Sequence, residues 1–176
     1  MKYCPRCGHE VSKINKTQYH CNGCGVDNYT NPKAATAVYL FDEDDNICFG
    51  LRAHDPHKGG LDCPGGFVDW GEGAEDALMR ELNEEIGLMR DDIYDLQYVA
   101  STFDLYDWHG VDEPVTSNYY YARLKPGTEL TPGDDIAEIV RIPFAEIDPT
   151  KFAWEGMRSS YPSLLKFLQV PDRYTL

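Results

Sequence analysis

"GGFVDWGEGAEDALMRELNEEIGL", residues 65–88, joins a glycine pair, an acidic turn and a helical pattern that closes on glycine. Ala74 to Ile86 reads as a helix. Leu78, Leu82 and Ile86 lie at successive i+4 steps, and Ala74 extends that buried stripe. Gly87 is placed to end the helix in the left-handed conformation. Glu81, Glu84 and Glu85 fall within a wedge of roughly 100° beside the stripe. Carboxylates three and four residues apart on a helix repel one another, so at the margin of a core they need compensation. Arg80 can pair with only some of them. Oxygen-coordinated magnesium or manganese is the natural compensator. Gly65 and Gly66 let backbone approach closely, and Glu72 occupies the turn that leads into the helix.

Strands flank this helix on both sides. Ala34 to Phe41 reads as a buried strand, and "EDDN" turns it into "ICFGLR", a hairpin partner. "AHDPHKGGLDCPGG" is polar and glycine-rich, hence a loop. "LQYVASTFDLY" and "SNYYYARL" are strand-forming, with "HGVDEPVT" as a loop between them, and "AEIVRIPF" supplies a further strand. "SLLKFLQ" reads as a short amphipathic helix following Pro162. Strands on both sides of a central helix, with a second helix at the end, predict a mixed-sheet α/β sandwich.

The 176 residues fit one ordinary domain with a small appendage. A hydrophobic fraction of 42% is enough for a real core. The formal net charge of −14 argues against a general nucleic-acid or membrane-surface binder. An acidic chain can still bind phosphates where metal ions mediate the contact. No apolar run reaches membrane-span length and no signal-peptide layout opens the chain, so a soluble cytoplasmic protein is expected.

Cys4 and Cys7 form "CPRCG", and Cys21 and Cys24 form "CNGCG". Two C-x2-C pairs can close a tetrahedral thiolate site around one zinc ion. A segment of about 27 residues cannot build a self-sufficient core, so a metal staple explains its folding. Disulfides are the alternative, disfavoured by the cytoplasmic look of the chain. Four protein ligands leave no open position, which makes the zinc structural. The expected division is therefore a zinc ribbon over 1–27 and a catalytic domain over 28–176, with "GVDNYTNPK" as linker. Lys2, Arg6, Lys13 and Lys16 make the ribbon locally basic; a solvated surface is preferred over RNA contact. Cys48 and Cys63 read as buried small apolar residues.

Gly66, five residues, Glu72, seven residues, then "RELNEEIGL" resembles the full Nudix box, G-x5-E-x7-R-E-U-x-E-E-x-G-U, with Leu82 and Leu88 at its aliphatic positions. The resemblance implies a Nudix-type α/β/α sandwich. It also implies metal-dependent hydrolysis of a diphosphate linkage in a nucleoside diphosphate joined to another moiety. By the match, Glu81 and Glu85 are metal ligands, Glu84 is a third carboxylate, and the Gly65 carbonyl is a backbone ligand. Arg80 and Glu72 would hold loop and helix together. "GDDIAEIVRI" resembles the downstream acidic segment of the family, which makes Glu138 a further ligand or base and Asp134 and Asp135 the alternates. The general base stays open between these acids and the box glutamates.

A four-cysteine ribbon ahead of such a domain resembles two groups. The NADH diphosphatases, which also remove NAD caps from RNA, carry S-Q-P-W-P-F-P after the box. Here the matching region reads "ASTFDLYDW", where Ser101 aligns but the prolines and tryptophan are missing. The second group acts on ADP-ribose, FAD or similar dinucleotides, and "NYTNPKAA" resembles it better, with Tyr29 placed to stack on a base. Phe103, Tyr106 and Trp108 can form a stacking platform, or simply pack. Arg52, His54, His57 and Lys58 are candidates for substrate contact. The expected partner is a nucleotide derivative, and the resemblance allows a homodimer. The competing class is a non-enzymatic nucleotide sensor, which an intact set of box glutamates disfavours.

Overall fold

Lys33–Phe41 (strand β4, after three short strands described below) is apolar on both sides for a physical reason: each face is covered by a helix. Val38 and Leu40 pack with Leu78, Leu82 and Ile86 of helix α1 (Ala74–Ile86). Tyr39 and Phe41 pack with Met157 and Leu164 of helix α2 (Glu155–Gln169). The result is an α/β/α sandwich with two apolar cores. The computed structural model describes residues 1–108, 110–133 and 135–169, with Trp108 as backbone alone.

The main sheet has the order β10-β5-β4-β9-β8, where β5 is Asn46–Arg52, β8 Ile93–Trp108, β9 Val111–Leu124 and β10 Ile136–Pro143. β4 runs parallel to β9 from Lys33↔Val115 to Phe41↔Arg123, while β8 and β9 pair antiparallel, so the sheet is mixed. Two short strands lie within the stretch read as a loop. β6 (Leu61–Asp62) pairs with β5, and β7 (Gly65–Phe67) pairs with β4.

Helix α1 spans the expected residues, and Gly87 closes it at φ 73°, its amide donating to the Asn83 and Leu82 carbonyls. Two expectations are corrected. The part "VDEPVT" is not a loop, because β9 begins at Val111 and Pro114 pairs opposite Leu105. Pro114 is tolerated because pairing with β4 starts only at Val115, where the ribbon ceases to be two-stranded. The last helix does not begin after Pro162 but at Glu155, with Pro162 inside it. Packing overrides the local breaker: the Gly156 amide donates to Asp104 Oδ2 at 2.9 Å, and the Tyr39 hydroxyl lies 2.6 Å from Ser160 Oγ.

The chain divides into two units, Met1–Pro32 and the residues from Lys33 onward. The first holds a three-stranded sheet of β1 (Val11–Lys13), β2 (Gln18–Cys21) and β3 (Asp27–Tyr29). β3 thus occupies part of the stretch read as linker. Cys48 and Cys63 are buried, and the six cysteines are present as free thiols. No helix among the described residues is long and apolar enough to cross a membrane.

Candidate functional site

Two glycines bring strand β7 and helix α1 together. Gly65 pairs with Ala37 and Gly66 with Thr36. Gly65 sits at φ 146°, and a Cβ there would fall 2.1 Å from the Thr36 carbonyl oxygen. A Cβ on Gly66 would fall 2.4 Å from the Glu81 carboxyl carbon. Only glycine leaves room for the helix carboxylates to lie on the strand. Glu85 Oε2 then accepts the Gly65 amide at 2.9 Å.

Arg80 organises the rest of this wall. Its Nη1 donates to Glu81 at 2.9 Å and to Glu84 at 3.1 Å. Its Nη2 donates to Glu72 at 2.7 Å and to the Phe67 carbonyl at 2.9 Å, and Nε reaches Glu72 at 3.3 Å. Glu72 also accepts the Asp69 amide at 2.7 Å, tying the turn to the helix. Glu81 has 17% of its side chain exposed and Glu84 has 49%, so Glu84 sits at the rim.

The electrostatics follow burial. Desolvation pushes the Glu85 carboxyl up to about 8, against the Gly65 amide, and the nearby Asp62, Glu81 and Asp135 charges push the same way. Burial raises Glu81 as well, opposed by Arg80. Hydrogen bonds from Arg80 hold Glu72 below the usual carboxylate range, and Glu72 in turn is the main cause of the raised Arg80 guanidinium. A wall that resists ionisation on its own becomes favourable for charge once dications neutralise it. Glu81 and Glu85 offer the all-oxygen donor set that magnesium or manganese takes.

These residues line a cleft of about 400 Å³. Arg52, Tyr106 and Asp135 line it too, together with Asp62 and Trp154. Other expected residues lie elsewhere. Glu138 is exposed on β10, in the register just after a bulge at Ile136, and is not among the lining residues, whereas its alternate Asp135 is. Phe103 is exposed on the outward side of β8, since alternation turns Asp104 and Tyr106 inward. Tyr29 is exposed on β3 in the first unit. The His57 ring stands nearly perpendicular to Trp154 with centroids 4.8 Å apart, and His54, His57 and Lys58 are all exposed. Asp134 and the Trp108 side chain lie outside the described residues.

Asp62 and Trp154 escaped the sequence reading. Asp62 lies in a stretch that looks like loop, and Trp154 belongs to no motif, so only the tertiary fold brings them to the cleft. The Trp154 indole donates to Asp62 at 2.8 Å, and Arg52 donates to the same carboxylate at 3.0 Å.

In the first unit, one Sγ from each of Cys4, Cys7, Cys21 and Cys24 lies within 4.8 Å of the others. Cys4 and Cys24 are 3.9 Å apart, and Cys7 and Cys21 are 3.4 Å apart. A tetrahedral ion with bonds of about 2.3 Å needs sulfurs about 3.8 Å apart, so the four thiols fit one.

The sequence profile of the NUDIX domain matches residues 30–164. The chain belongs to the NUDIX domain family. Over 61 residues, 35% of the chain and 36% of the relative, it is 42% identical to the ADP-ribose pyrophosphatase of Methanocaldococcus jannaschii. Over 103 residues, 57% of the chain and 37% of the relative, it is 35% identical to the NAD-capped RNA hydrolase NudC of Escherichia coli O1:K1 / APEC. The matched stretch thus spans just over a third of each of these curated relatives. A NUDIX hydrolase of Nitrosomonas europaea superposes with a TM-score of 0.70 at 21% identity, over 99% of this chain and 97% of that one. The NUDIX domain of Shewanella oneidensis NrtR, crystallised with ADP ribose, gives a TM-score of 0.64 at 16% identity, over 80% and 91%. At these identities the structural likeness is one of Nudix fold.

Proposed function

We propose that this Nudix protein hydrolyses a diphosphate linkage in a nucleoside diphosphate joined to a second moiety. ADP-ribose, FAD or a similar dinucleotide is the favoured substrate, giving a mononucleotide and a phosphorylated remainder. The observation that carries the reading is the placement of Glu81 and Glu85 against the Gly65–Gly66 strand, where burial makes both carboxyls reluctant to ionise unaided.

In this reading Glu81, Glu85 and the Gly65 carbonyl hold magnesium or manganese, with Glu84 contributing from the rim. The bound dications would supply Lewis acidity, an activated water and neutralisation of the leaving phosphate. Arg80 keeps Glu81 and Glu84 in position, and its bonds to Glu72 and the Phe67 carbonyl brace the turn against the helix. Asp135, which lines the cleft, is better placed than Glu138 to hold a proton near the reacting water. The four thiols of the first unit hold one structural zinc. The 42% identity to an ADP-ribose pyrophosphatase supports the ADP-ribose arm, and the 35% identity to NudC keeps NADH as the second.

The test is turnover of ADP-ribose, FAD, NADH, diadenosine polyphosphates and nucleoside triphosphates with magnesium, with products identified by mass. Release of AMP from ADP-ribose is the expected result. Tight binding of one compound with no turnover of any would replace the enzyme with a sensor.

A further inference from the structure

The carboxylate wall leaves a problem unsolved, because an acidic cleft must also receive the phosphate that its metal ions do not hold. Among the described lining residues the cations are Arg52 and Arg80. Arg80 is committed: Nε, Nη1 and Nη2 all donate to Glu72, Glu81, Glu84 or the Phe67 carbonyl. Reception of an anion therefore falls to Arg52.

Arg52 is held for that task from several directions. Its Nε donates to the Pro56 carbonyl at 2.8 Å and its Nη1 to Asp62 Oδ2 at 3.0 Å. The same Oδ2 accepts the Trp154 indole N–H at 2.8 Å. The guanidinium also lies over the Trp154 ring, 4.8 Å from its centroid, and Tyr106 stacks on that ring at 4.5 Å and 25°. Trp154 thus meets Arg52 through its face and Asp62 through its N–H, fixing both members of the ion pair. Only 14% of the Arg52 side chain is exposed, yet it lines the cleft. Tyr106 shares a further side-chain hydrogen bond with Arg52, and a planar fork held in this way keeps the N–H groups left over in a fixed plane, the geometry that suits a phosphate.

We infer that Arg52 is the anion receptor of the cleft, taking the phosphate of a diphosphate substrate that lies away from the carboxylate wall, and that Asp62 and Trp154 are positioning residues that act through Arg52. The inference rests on the diphosphate reading above. The bland alternative is a structural clamp between β6 and the start of α2.

The experiment compares R52K, D62N and W154F with the unaltered protein by calorimetry. W154F keeps a smaller aromatic face and removes the N–H. D62N keeps the shape and removes the charge. One titrant is α,β-methylene-ADP with magnesium, a diphosphate that cannot be cleaved at that bridge; the other is manganese alone. All three variants should lose about tenfold or more in affinity for the analogue, as loss of a charge-assisted bond predicts, while the manganese affinity of R52K and W154F, which leave the Asp62 charge beside Glu85 in place, stays within twofold. The D62N/W154F double variant should be no worse than the weaker single variant, because both act through one group.

Undiminished analogue binding by R52K overturns the inference, as does failure of the unaltered protein to bind the analogue at millimolar concentration. Parallel losses of manganese and analogue binding in R52K and W154F favour the clamp. Loss in R52K alone removes the positioning roles. Should one variant not fold, the other two are read by the same comparison. Selective analogue loss in a protein that cleaves nothing in the substrate panel would sink the enzymatic reading alone.

Discussion

The Gly65 amide donates to Glu85 Oε2 at 2.9 Å, so the strand and the helix of the Nudix box are joined through a carboxylate that burial discourages from ionising. One side chain thus fastens the site together and supplies its most strained charge. Replacing Glu85 with Gln keeps an oxygen for the Gly65 amide and removes the charge. Magnesium-dependent turnover should fall more than about 100-fold, beyond the loss typical of residues that merely support a metal ligand. The melting temperature of the metal-free protein should hold or rise. Retained activity would remove Glu85 from the metal site.

The same carboxyl predicts a pH dependence. Its folded value of about 8 lies above the ordinary 4.5, so between those values the folded chain holds a proton that the unfolded chain has released. Metal-free stability should therefore fall as pH rises from about 4.5 to about 8, then level off. Magnesium must displace that proton, so the rise in Tm on adding magnesium should grow across the same window. Thermal melts with and without magnesium read both trends, and E85Q should flatten them. A magnesium effect independent of pH would contradict the assignment.

Local signals carried much of this architecture. Helix α1 was legible because its periodicity and its Gly87 stop are properties of adjacent residues, and the C-x2-C pairs announce their own geometry. Where tertiary partners decide, local reading failed. Pro162 looked like a helix start, but packing of Tyr39 against Ser160 and capping of Gly156 by Asp104 carry the helix back to Glu155. Pro114 and its charged neighbours looked like loop until paired with β8. Glu138 comes from resemblance alone, and the register shift between Ile136 and Glu138 is a pairing feature that no local pattern signals. Trp154 lies 92 residues from Asp62, and no local pattern links the two.

The paired glycines separate a fold requirement from a site requirement. Gly65→Ala puts a Cβ against the Thr36 carbonyl at 2.1 Å, with backbone on both sides of the clash, so the protein should lose several degrees of Tm or fail to accumulate. Gly66→Ala meets the Glu81 carboxyl, the end of a side chain that can move aside. Its Tm should change little while manganese affinity and turnover drop at least about tenfold. Calorimetry and melting curves on both variants test the contrast, and equal effects on stability would refute it.

Metal removal should act on one unit at a time. Cys21 is fully buried, and its Sγ lies 3.4 Å from that of Cys7 and accepts the Cys24 amide at 3.4 Å. The first unit has only three short strands around these thiols, whereas the residues from Lys33 onward bury two apolar cores that contain none of them. Cys21→Ser should lower zinc from one per chain toward none and open the first unit to protease, because a site of this kind supplies the folding energy of so small a segment. The larger unit should keep a cooperative melt. Zinc content by mass spectrometry and the sizes of the proteolytic fragments read the two outcomes separately. A variant that retains one zinc per chain would contradict the four-thiolate site, and a single melt lost in full on chelation would contradict the independence of the larger cores.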